Sequence, residues 1–161
     1  VLTNKGYKNI ETLTKNDTIN GKEIKNITQT ITEEPHLILI KKGALCDNMP
    51  NKDTRITMNH KVLYKGQMVK AKSLLYKVNG VKKAKYNKEI LYNVLLKEEG
   101  KMVVNGMIAE TLSPKNSIAK LYTMMEGKTE EQCRDIIEAY KKDVDSCGNY
   151  KHTNKSTTVK R

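Results

Sequence analysis

The sequence predicts a mainly β domain with a helical hairpin at its C-terminal end. Short runs of β-branched and aromatic residues, separated by Gly, Asn and Pro, fill residues 1–112. After Ser113-Pro114 the apolar residues change to helical spacing. From Asp145 onward the chain is polar. We therefore predict a compact β domain over residues 1–112, a helical hairpin over 113–144 packed on it, and a disordered basic tail over 145–161.

Alternation and turn residues place the strands of the β domain. Residues Glu23–Thr32 alternate β-branched side chains, and His36–Lys42 is an apolar run of strand length. Asn105-Gly106 has the residues of a tight type I′ turn, because both accept a positive φ. Lys65-Gly66 predicts a second tight hairpin, and Glu98–Gly100 predicts a third between the runs that flank it.

Capping residues and apolar stripes define the two predicted helices. Ser113 is a good N-cap residue, Pro114 suits the first helical position, and Gly127 is placed to end the first helix. Thr129–Gln132 has the pattern of a capping box for the second helix. The apolar stripes consist of Ile118, Leu121, Tyr122 and Met125, followed by Cys133, Ile136, Ile137, Tyr140 and Val144.

The charge of the chain bears on its partners. Lys and Arg number 30 against 18 Asp and Glu, which gives a formal net charge of +12. Three of the basic residues are arginines, so the other 27 are lysines. Arginine is the usual residue for bidentate recognition of phosphate or guanine. A surplus of lysine fits a solvated surface better, and we do not expect nucleic acid as a partner.

Cysteine usage and hydropathy indicate an intracellular, reducing compartment. Cys46, Cys133 and Cys147 are odd in number and irregular in spacing, which argues against a disulfide framework. The histidines do not stand at zinc-ligand spacing, so we expect no metal and no cofactor. No apolar run approaches the roughly 20 residues of a membrane span, so we expect no membrane partner. Because the first residue is Val1 rather than Met, we expect a longer parent polypeptide.

The segment Thr57–His60 carries the most specific chemistry. It reads T-x-x-H between two strand-like runs. A histidine at a strand end, with a threonine hydroxyl three residues before it, can polarise one peptide bond. Since the ordinary pKa of histidine is about 6.5, His60 can transfer a proton at neutral pH.

Four segments match one family pattern in the right order. They are residues 2–19 (LTNKGYKNIETL, then NDTI), 50–60 (with Pro50, Asp53 and T-x-x-H), 68–74 (MVKAKSL) and 104–112 (VNGMIAETL). Together they resemble the Hint domain, the autoprocessing module shared by hedgehog proteins and inteins, over about residues 1–122. The last segment is similar to Hint variants of bacterial and large-DNA-virus proteins, so a viral gene is an expected source.

The resemblance implies a single-turnover autoproteolytic reaction on the chain's own upstream polypeptide. In the family, a Cys or Ser at the start of the domain attacks the carbonyl before it, in an N-to-S or N-to-O acyl shift. Water, a thiol or another nucleophile then accepts the acyl group. The resemblance further implies that His60 protonates the departing nitrogen, that Thr57 orients His60 or the scissile amide, and that Asp53 fixes the loop or the ring.

Three features depart from the family pattern. The family nucleophile stands a few positions before the matched opening, where this chain has Val1, so we expect these 161 residues alone to be inert. Glu110-Thr111 replaces the family's terminal His-Asn, so cyclisation of Asn is not available. The family's second His is absent, and Glu98–Gly100 stands at its place.

Two other functions remain open. One is a non-catalytic Hint-derived module that uses the helical hairpin to dock onto a neighbouring domain. The other is a basic nucleic-acid-binding module. Residues 54–88 carry Arg55 and nine lysines without an acidic residue, interleaved with Tyr64, Tyr76 and Tyr86. For that segment, a solvated lysine face is the interpretation that the sequence favours.

Overall fold

The structure, a computed structural model, describes residues 1–147 and 156–159. The strands are β1 (Leu2–Thr3), β2 (Gly6–Tyr7), β3 (Thr18–Ile19), β4 (Lys22–Thr32), β5 (His36–Ile40), β6 (Thr54–Ile56), β7 (Lys61–Tyr64), β8 (Gln67–Lys70), β9 (Val81–Lys85), β10 (Leu91–Leu96), β11 (Lys101–Val104), β12 (Met107–Glu110) and β13 (Ser156–Val159). The helices are α1 (Ser117–Met125) and α2 (Glu130–Cys147), and two short 3₁₀ helices span Ile10–Thr12 and Ala71–Leu74. The predicted class, mainly β with two C-terminal helices, is confirmed.

The strands pair antiparallel in four small sheets. β4 lies between β10 and β13 and also pairs with β3 at its start. A second sheet has the order β11-β12-β7-β8, so two hairpins meet where β12 pairs with β7. A third sheet has the order β6-β5-β9, and β1 pairs with β2.

β10 pairs with β4 and not with β11, so the hairpin predicted at Glu98–Gly100 is wrong. The register joins Leu91 to Thr30 and Val94 to Ile27, and it shifts between Leu95 and Leu96. Three successive residues of β10, Val94 to Leu96, are buried. A strand buried on both faces belongs in the interior of the fold, where β4 is available as its partner.

One apolar core joins the sheets. Six of its deeply buried side chains come from five different strands: Ile24, Ile38, Ile40, Val62, Val94 and Met107. Burying each side chain of this size contributes roughly 1.5–3 kcal/mol. The core therefore fixes the relative placement of strands that are distant in sequence.

The two helices pack on each other, and α1 packs on β4. Ile118, Leu121, Tyr122, Met125 and Cys133 form a second apolar cluster. The Tyr122 hydroxyl accepts a hydrogen bond from the backbone N–H of Gln29 (2.8 Å) and donates to its carbonyl oxygen (3.2 Å). This pair of bonds ties α1 to an outward-facing backbone position of β4.

The helix ends agree with two of the predicted caps. α1 ends at Met125, and Gly127 follows its C-cap residue with a positive φ of 71°, as expected. Thr129 and Gln132 form the expected capping box, with reciprocal bonds of 3.0 and 3.2 Å. The first helix begins later than predicted, because Asn116 and not Ser113 is its N-cap. The Asn116 side chain accepts a hydrogen bond from the N–H of Ile118 at 2.8 Å. A carboxamide oxygen can cap a helix as well as a hydroxyl can.

The C-terminal boundary also differs from the prediction of a disordered tail over residues 145–161. α2 continues to Cys147, since the first helix-breaking residue of the sequence there is Gly148. Ser156–Val159 forms a strand antiparallel to β4, consistent with its β-branched residues. The rest of that predicted tail lies outside the described residues. Within them, no helix has both the length and the apolar character required to cross a membrane.

Asp17 fixes the N-terminal segment. Its buried carboxylate accepts hydrogen bonds from the backbone N–H of Thr14 (2.9 Å) and from Lys8 Nζ (3.0 Å). The bond from Thr14, followed by the bond from Lys8, holds the pKa of Asp17 below its usual value. The carboxylate thus closes the turn from Thr14 to Asp17 and ties it to Lys8.

Both predicted two-residue turns are present. Lys65 and Gly66 join β7 to β8, and Asn105 and Gly106 join β11 to β12, all with positive φ. The second turn is also anchored from outside. The backbone N–H of Asn51 donates to the Asn105 carbonyl oxygen at 2.7 Å. The two turns thus share a geometry but differ in their surroundings.

This difference predicts that Gly106→Ala destabilises the protein more than Gly66→Ala does. Alanine at either position adopts a left-handed conformation that costs about 1–2 kcal/mol. A Cβ at Gly106 would also lie 3.3 Å from Asn51 Nδ2, whereas nothing lies within 4 Å of one at Gly66. Urea denaturation measures both free energies of unfolding. Equal losses in the two variants would contradict a packed Asn105-Gly106 turn.

Candidate functional site

The candidate residues Thr57 and His60 lie in one turn between β6 and β7. The backbone N–H of His60 donates to the Thr57 carbonyl oxygen at 3.2 Å, which closes the turn. The segment after β8 holds it from outside. The N–H of Ala71 donates to the His60 carbonyl oxygen (2.8 Å), and the N–H of Lys72 donates to that of Met58 (2.9 Å). The backbone that carries both side chains is therefore held by one hydrogen bond within the turn and by two from the segment after β8.

The His60 ring is held by a backbone carbonyl. Its Nε2 atom lies 3.0 Å from the carbonyl oxygen of Glu110, the last residue of β12. Because a carbonyl oxygen can only accept, Nε2 carries the hydrogen and donates it. Nδ1 is then the nitrogen without a proton in the neutral ring. The Glu110 side chain adds a second tie, since its Oε1 accepts from the N–H of Lys61 at 3.1 Å.

Burial sets the protonation of His60. The half-buried ring is poorly solvated, and this lowers the pKa of His60 below its usual value. The negative charge of the Glu110 carboxylate and the hydrogen bond to the Glu110 carbonyl oxygen act in the opposite direction but do not overcome it. His60 is therefore more readily deprotonated than a free histidine.

His60 and Thr57 line a cavity of about 460 Å³. The lining also includes four charged residues and six neutral polar ones: Lys8, Glu11, Arg55 and Glu89, and Asn9, Thr30, Thr54, Tyr92, Asn93 and Asn105. The apolar lining residues are Val1, Ile10, Leu37, Ile56, Ile90, Leu91, Met102, Val104, Met107 and Ala109. A concave site that offers both apolar surface and polar groups can bind and orient a reacting group.

The Thr57 hydroxyl is available to hydrogen-bond a group bound in that cavity. Thr57 is half-buried, and its hydroxyl makes no hydrogen bond to any residue that the structure describes. The structure thus brings Thr57 and His60 together, with one hydroxyl and one imidazole facing the same space.

Asp53 is placed apart from them. Its exposed carboxylate accepts a hydrogen bond from the backbone N–H of Lys42 at 2.9 Å, and it does not line the cavity. Its observed contact is with the loop that follows β5. The alternative contact, with the His60 ring, is absent among the hydrogen bonds of residues 1–147 and 156–159.

Glu110 is the site residue that sequence reasoning missed. The sequence shows it only as a replacement for the family's terminal His, whereas the structure places its carbonyl oxygen on His60. The side chain of the following residue is also hydrogen-bonded, since the Thr111 hydroxyl donates to the Gly100 carbonyl oxygen at 2.8 Å. The sequence carries no signal for this contact, because it depends on the pairing of β12 with β7, which brings residue 110 beside residue 61.

Metal binding finds no support among the described residues. No group of three or more His, Cys, Asp or Glu side chains there is arranged to hold a metal ion. Cys46 is an exposed free thiol and Cys133 is a buried one. The Cys133 thiol lies 3.6 Å from the Met125 carbonyl oxygen and packs in the helical cluster.

We predict that His60 makes the protein less stable on mild acidification. Its pKa is lowered in the folded state, so the unfolded chain binds more protons once the pH falls below about 6.5. Unfolding therefore becomes easier between pH 7.5 and 5.5. In His60→Gln, whose amide can still donate to Glu110, this dependence should shrink. Urea midpoints across that range measure it, with exposed His36→Gln as the control. An unchanged slope in His60→Gln would contradict burial of a neutral ring.

Comparison with known families shows to which family the chain belongs. The Hint domain family matches residues 1–116 of the 161, a range that includes Thr57, His60 and Glu110. The comparisons with curated proteins and with solved structures gave no match. Since the family match covers well over half of the chain, the chain belongs to the Hint domain family and is, at this level of description, an autoprocessing-type module.

Proposed function

We propose that this chain is the autoprocessing module at the C-terminal end of a larger polypeptide, and that it cleaves the peptide bond before an upstream Cys or Ser. The observation that supports this most is the shared cavity of Thr57 and His60. Val1 lines the same cavity, so residues joined to its amino group would be joined at the cavity wall. The scissile bond would thereby reach the imidazole without a change of fold.

The first step rearranges the chain without another reactant. The upstream thiol or hydroxyl gives up its proton and attacks the carbonyl carbon of the preceding residue. A C–S or C–O bond forms, the C–N bond breaks, and the departing nitrogen takes a proton to become an amine. Water or a thiol then attacks the new ester. The upstream polypeptide leaves as an acid or a thioester, and the nucleophile recovers its hydrogen.

His60 supplies the proton to the departing nitrogen. In the imidazolium form, Nε2–H stays bonded to the Glu110 carbonyl oxygen, so the transferable proton is the one on Nδ1. Because burial lowers the pKa of His60, its imidazolium is a stronger acid than that of a free histidine. General acid catalysis of this kind accelerates a reaction by about 10²- to 10⁴-fold.

Thr57 orients the scissile amide. Its hydroxyl has no partner among the described residues and lies in the same turn as His60. One hydrogen bond from this hydroxyl would hold the peptide bond against the imidazole. An amide that is already held in the reacting geometry loses less translational and rotational entropy on reaching the transition state, and the reaction is faster for that reason.

Residues 110 and 111, at the C-terminal end of the β domain, do not support the later steps of splicing. Glu110 and Thr111 are both engaged, one with His60 and the other with Gly100. Neither side chain is the carboxamide that could cyclise and release a downstream segment. The supported outcome is therefore hydrolysis or thiolysis of the ester, without ligation.

The central test uses the gene product that contains this chain, with its native residues before Val1. Dithiothreitol or hydroxylamine is added, and intact masses are followed with time. We expect cleavage before the upstream Cys or Ser, slowed about 10²- to 10⁴-fold in His60→Ala. His36→Ala, at an exposed position on β5, should cleave at the normal rate. An intact mass throughout would reject autoprocessing and favour the non-catalytic docking module, and normal cleavage in His60→Ala would reject the role of His60.

A second test separates the effect of the Thr57 hydroxyl from the effect of the branched shape of its side chain. Thr57→Val keeps the branched side chain and removes the hydroxyl, whereas Thr57→Ser keeps the hydroxyl. Losing one hydrogen bond of about 0.5–1.5 kcal/mol slows cleavage roughly 2- to 13-fold. We expect that loss in Thr57→Val and near-normal rates in Thr57→Ser. If the two variants behave alike, Thr57 is only a residue of the turn.

A further inference from the structure

A second cleft, of about 910 Å³, shares no lining residue with the His60 cavity. It lies between the turn that follows β5 and the turn that precedes β9. Four lysines line it: Lys41, Lys42, Lys77 and Lys82. Tyr76 lines it as well, and the lining includes no Asp or Glu.

The frame of this cleft is built by backbone hydrogen bonds. The N–H of Lys41 donates to the Gly80 carbonyl oxygen at 2.9 Å, which extends the pairing of β5 with β9 by one step. The N–H of Ala44 donates to the Lys41 carbonyl oxygen at 3.0 Å and closes the first turn. A Cβ on Gly80 would lie 3.2 Å from that of Ala44, so the two turns are in close contact. The lysines therefore project from a fixed support.

The positive charge of the cleft is not neutralised within the described structure. All four lysines are exposed, and none forms an ion pair with a described residue. Asp53 lies at the edge of the cleft, where its carboxylate accepts a hydrogen bond from the backbone N–H of Lys42 and not from a lysine side chain. Four cations around one cleft attract a ligand with several negative charges.

The aromatic ring at this cleft is available, unlike the other two tyrosines of the lysine-rich segment. Tyr86 is buried, and its hydroxyl donates to the Glu89 carbonyl oxygen. Tyr64 is half-buried, with Lys65 Nζ 5.4 Å from its ring centre. Tyr76 is 96 % exposed and has a left-handed backbone, with φ of 64°. The ring of Tyr76 is therefore accessible to a planar ligand group beside the four lysines.

We propose that this cleft binds single-stranded nucleic acid, with phosphates along the lysines and one base stacked on Tyr76. Stacking on an aromatic ring combined with a cationic groove is the usual way to bind single strands without sequence preference. Lysine suits this role, since a backbone of phosphates needs charge and not a planar fork. The inference goes beyond the autoprocessing proposal and does not depend on it, and it runs against the partner expected from the sequence.

The test measures the binding of a fluorescein-labelled oligothymidylate by fluorescence anisotropy over a series of salt concentrations. One variant changes Lys41, Lys42, Lys77 and Lys82 to Gln. The control changes four exposed lysines elsewhere to Gln: Lys101, Lys115, Lys120 and Lys128. Both sets lower the formal charge from +12 to +8. For single strands, the slope of log K against log salt falls by about 0.7 for each phosphate contact removed. We expect that fall in the cleft variant only.

Tyr76 provides an independent measurement in a single-residue variant. Tyr76→Ala should weaken binding about fivefold or more, and Tyr76→Phe should bind nearly as well as the unchanged protein. The absence of salt-dependent binding would overturn the proposal. So would equal losses in the two lysine sets, which would indicate attraction by net charge alone. Unchanged affinity in Tyr76→Ala, with heparin competing as well as unlabelled oligonucleotide, would identify a general polyanion surface instead.

Discussion

The pairing of β12 with β7 is the constraint on which the site depends. It joins Val62 to Ala109, two side chains with almost no exposure, in the centre of the core. Because the strands run antiparallel, this pair brings the residues just before β7 beside the end of β12. His60 thus meets the Glu110 carbonyl oxygen, and Lys61 meets the Glu110 carboxylate. The position of the imidazole is a consequence of apolar burial at some distance from it.

Another part of the cavity wall depends on a buried charge. Asn9 and Ile10 line the cavity, and the segment that carries them is held by the bonds of Asp17 to Lys8 and Thr14. A buried carboxylate with hydrogen-bonded partners is a strong local constraint, because removing either partner leaves a charge unsatisfied. The site therefore combines one wall fixed by aliphatic packing with one wall fixed by an ion pair.

Local patterns in the sequence predict local features of this fold well. The two tight turns, the capping box at Thr129 and the strand character of residues 1–112 all follow from nearest neighbours. Apart from the N-cap at Asn116 and the end of α2 at Cys147, the failures concern which strands pair with each other. A run such as Val94–Leu96 shows that a strand is buried but not that β4 covers it. For the same reason, T-x-x-H identifies His60, while the carbonyl that fixes its ring becomes visible only when β12 is placed beside β7.

The anchor of His60 is a main-chain atom, and this has a consequence for how such a chain can diverge. Every amino acid presents the same carbonyl oxygen, so the Nε2–H of His60 keeps its acceptor whatever residue stands at position 110, although another residue would lose the tie from the Glu110 carboxylate to Lys61. The hydrogen bond that places the proton donor therefore does not depend on which side chain stands at the C-terminal junction. A lineage can lose its ability to join flanking segments through point substitutions at positions 110 and 111 and still keep the hydrogen bond that places the proton donor.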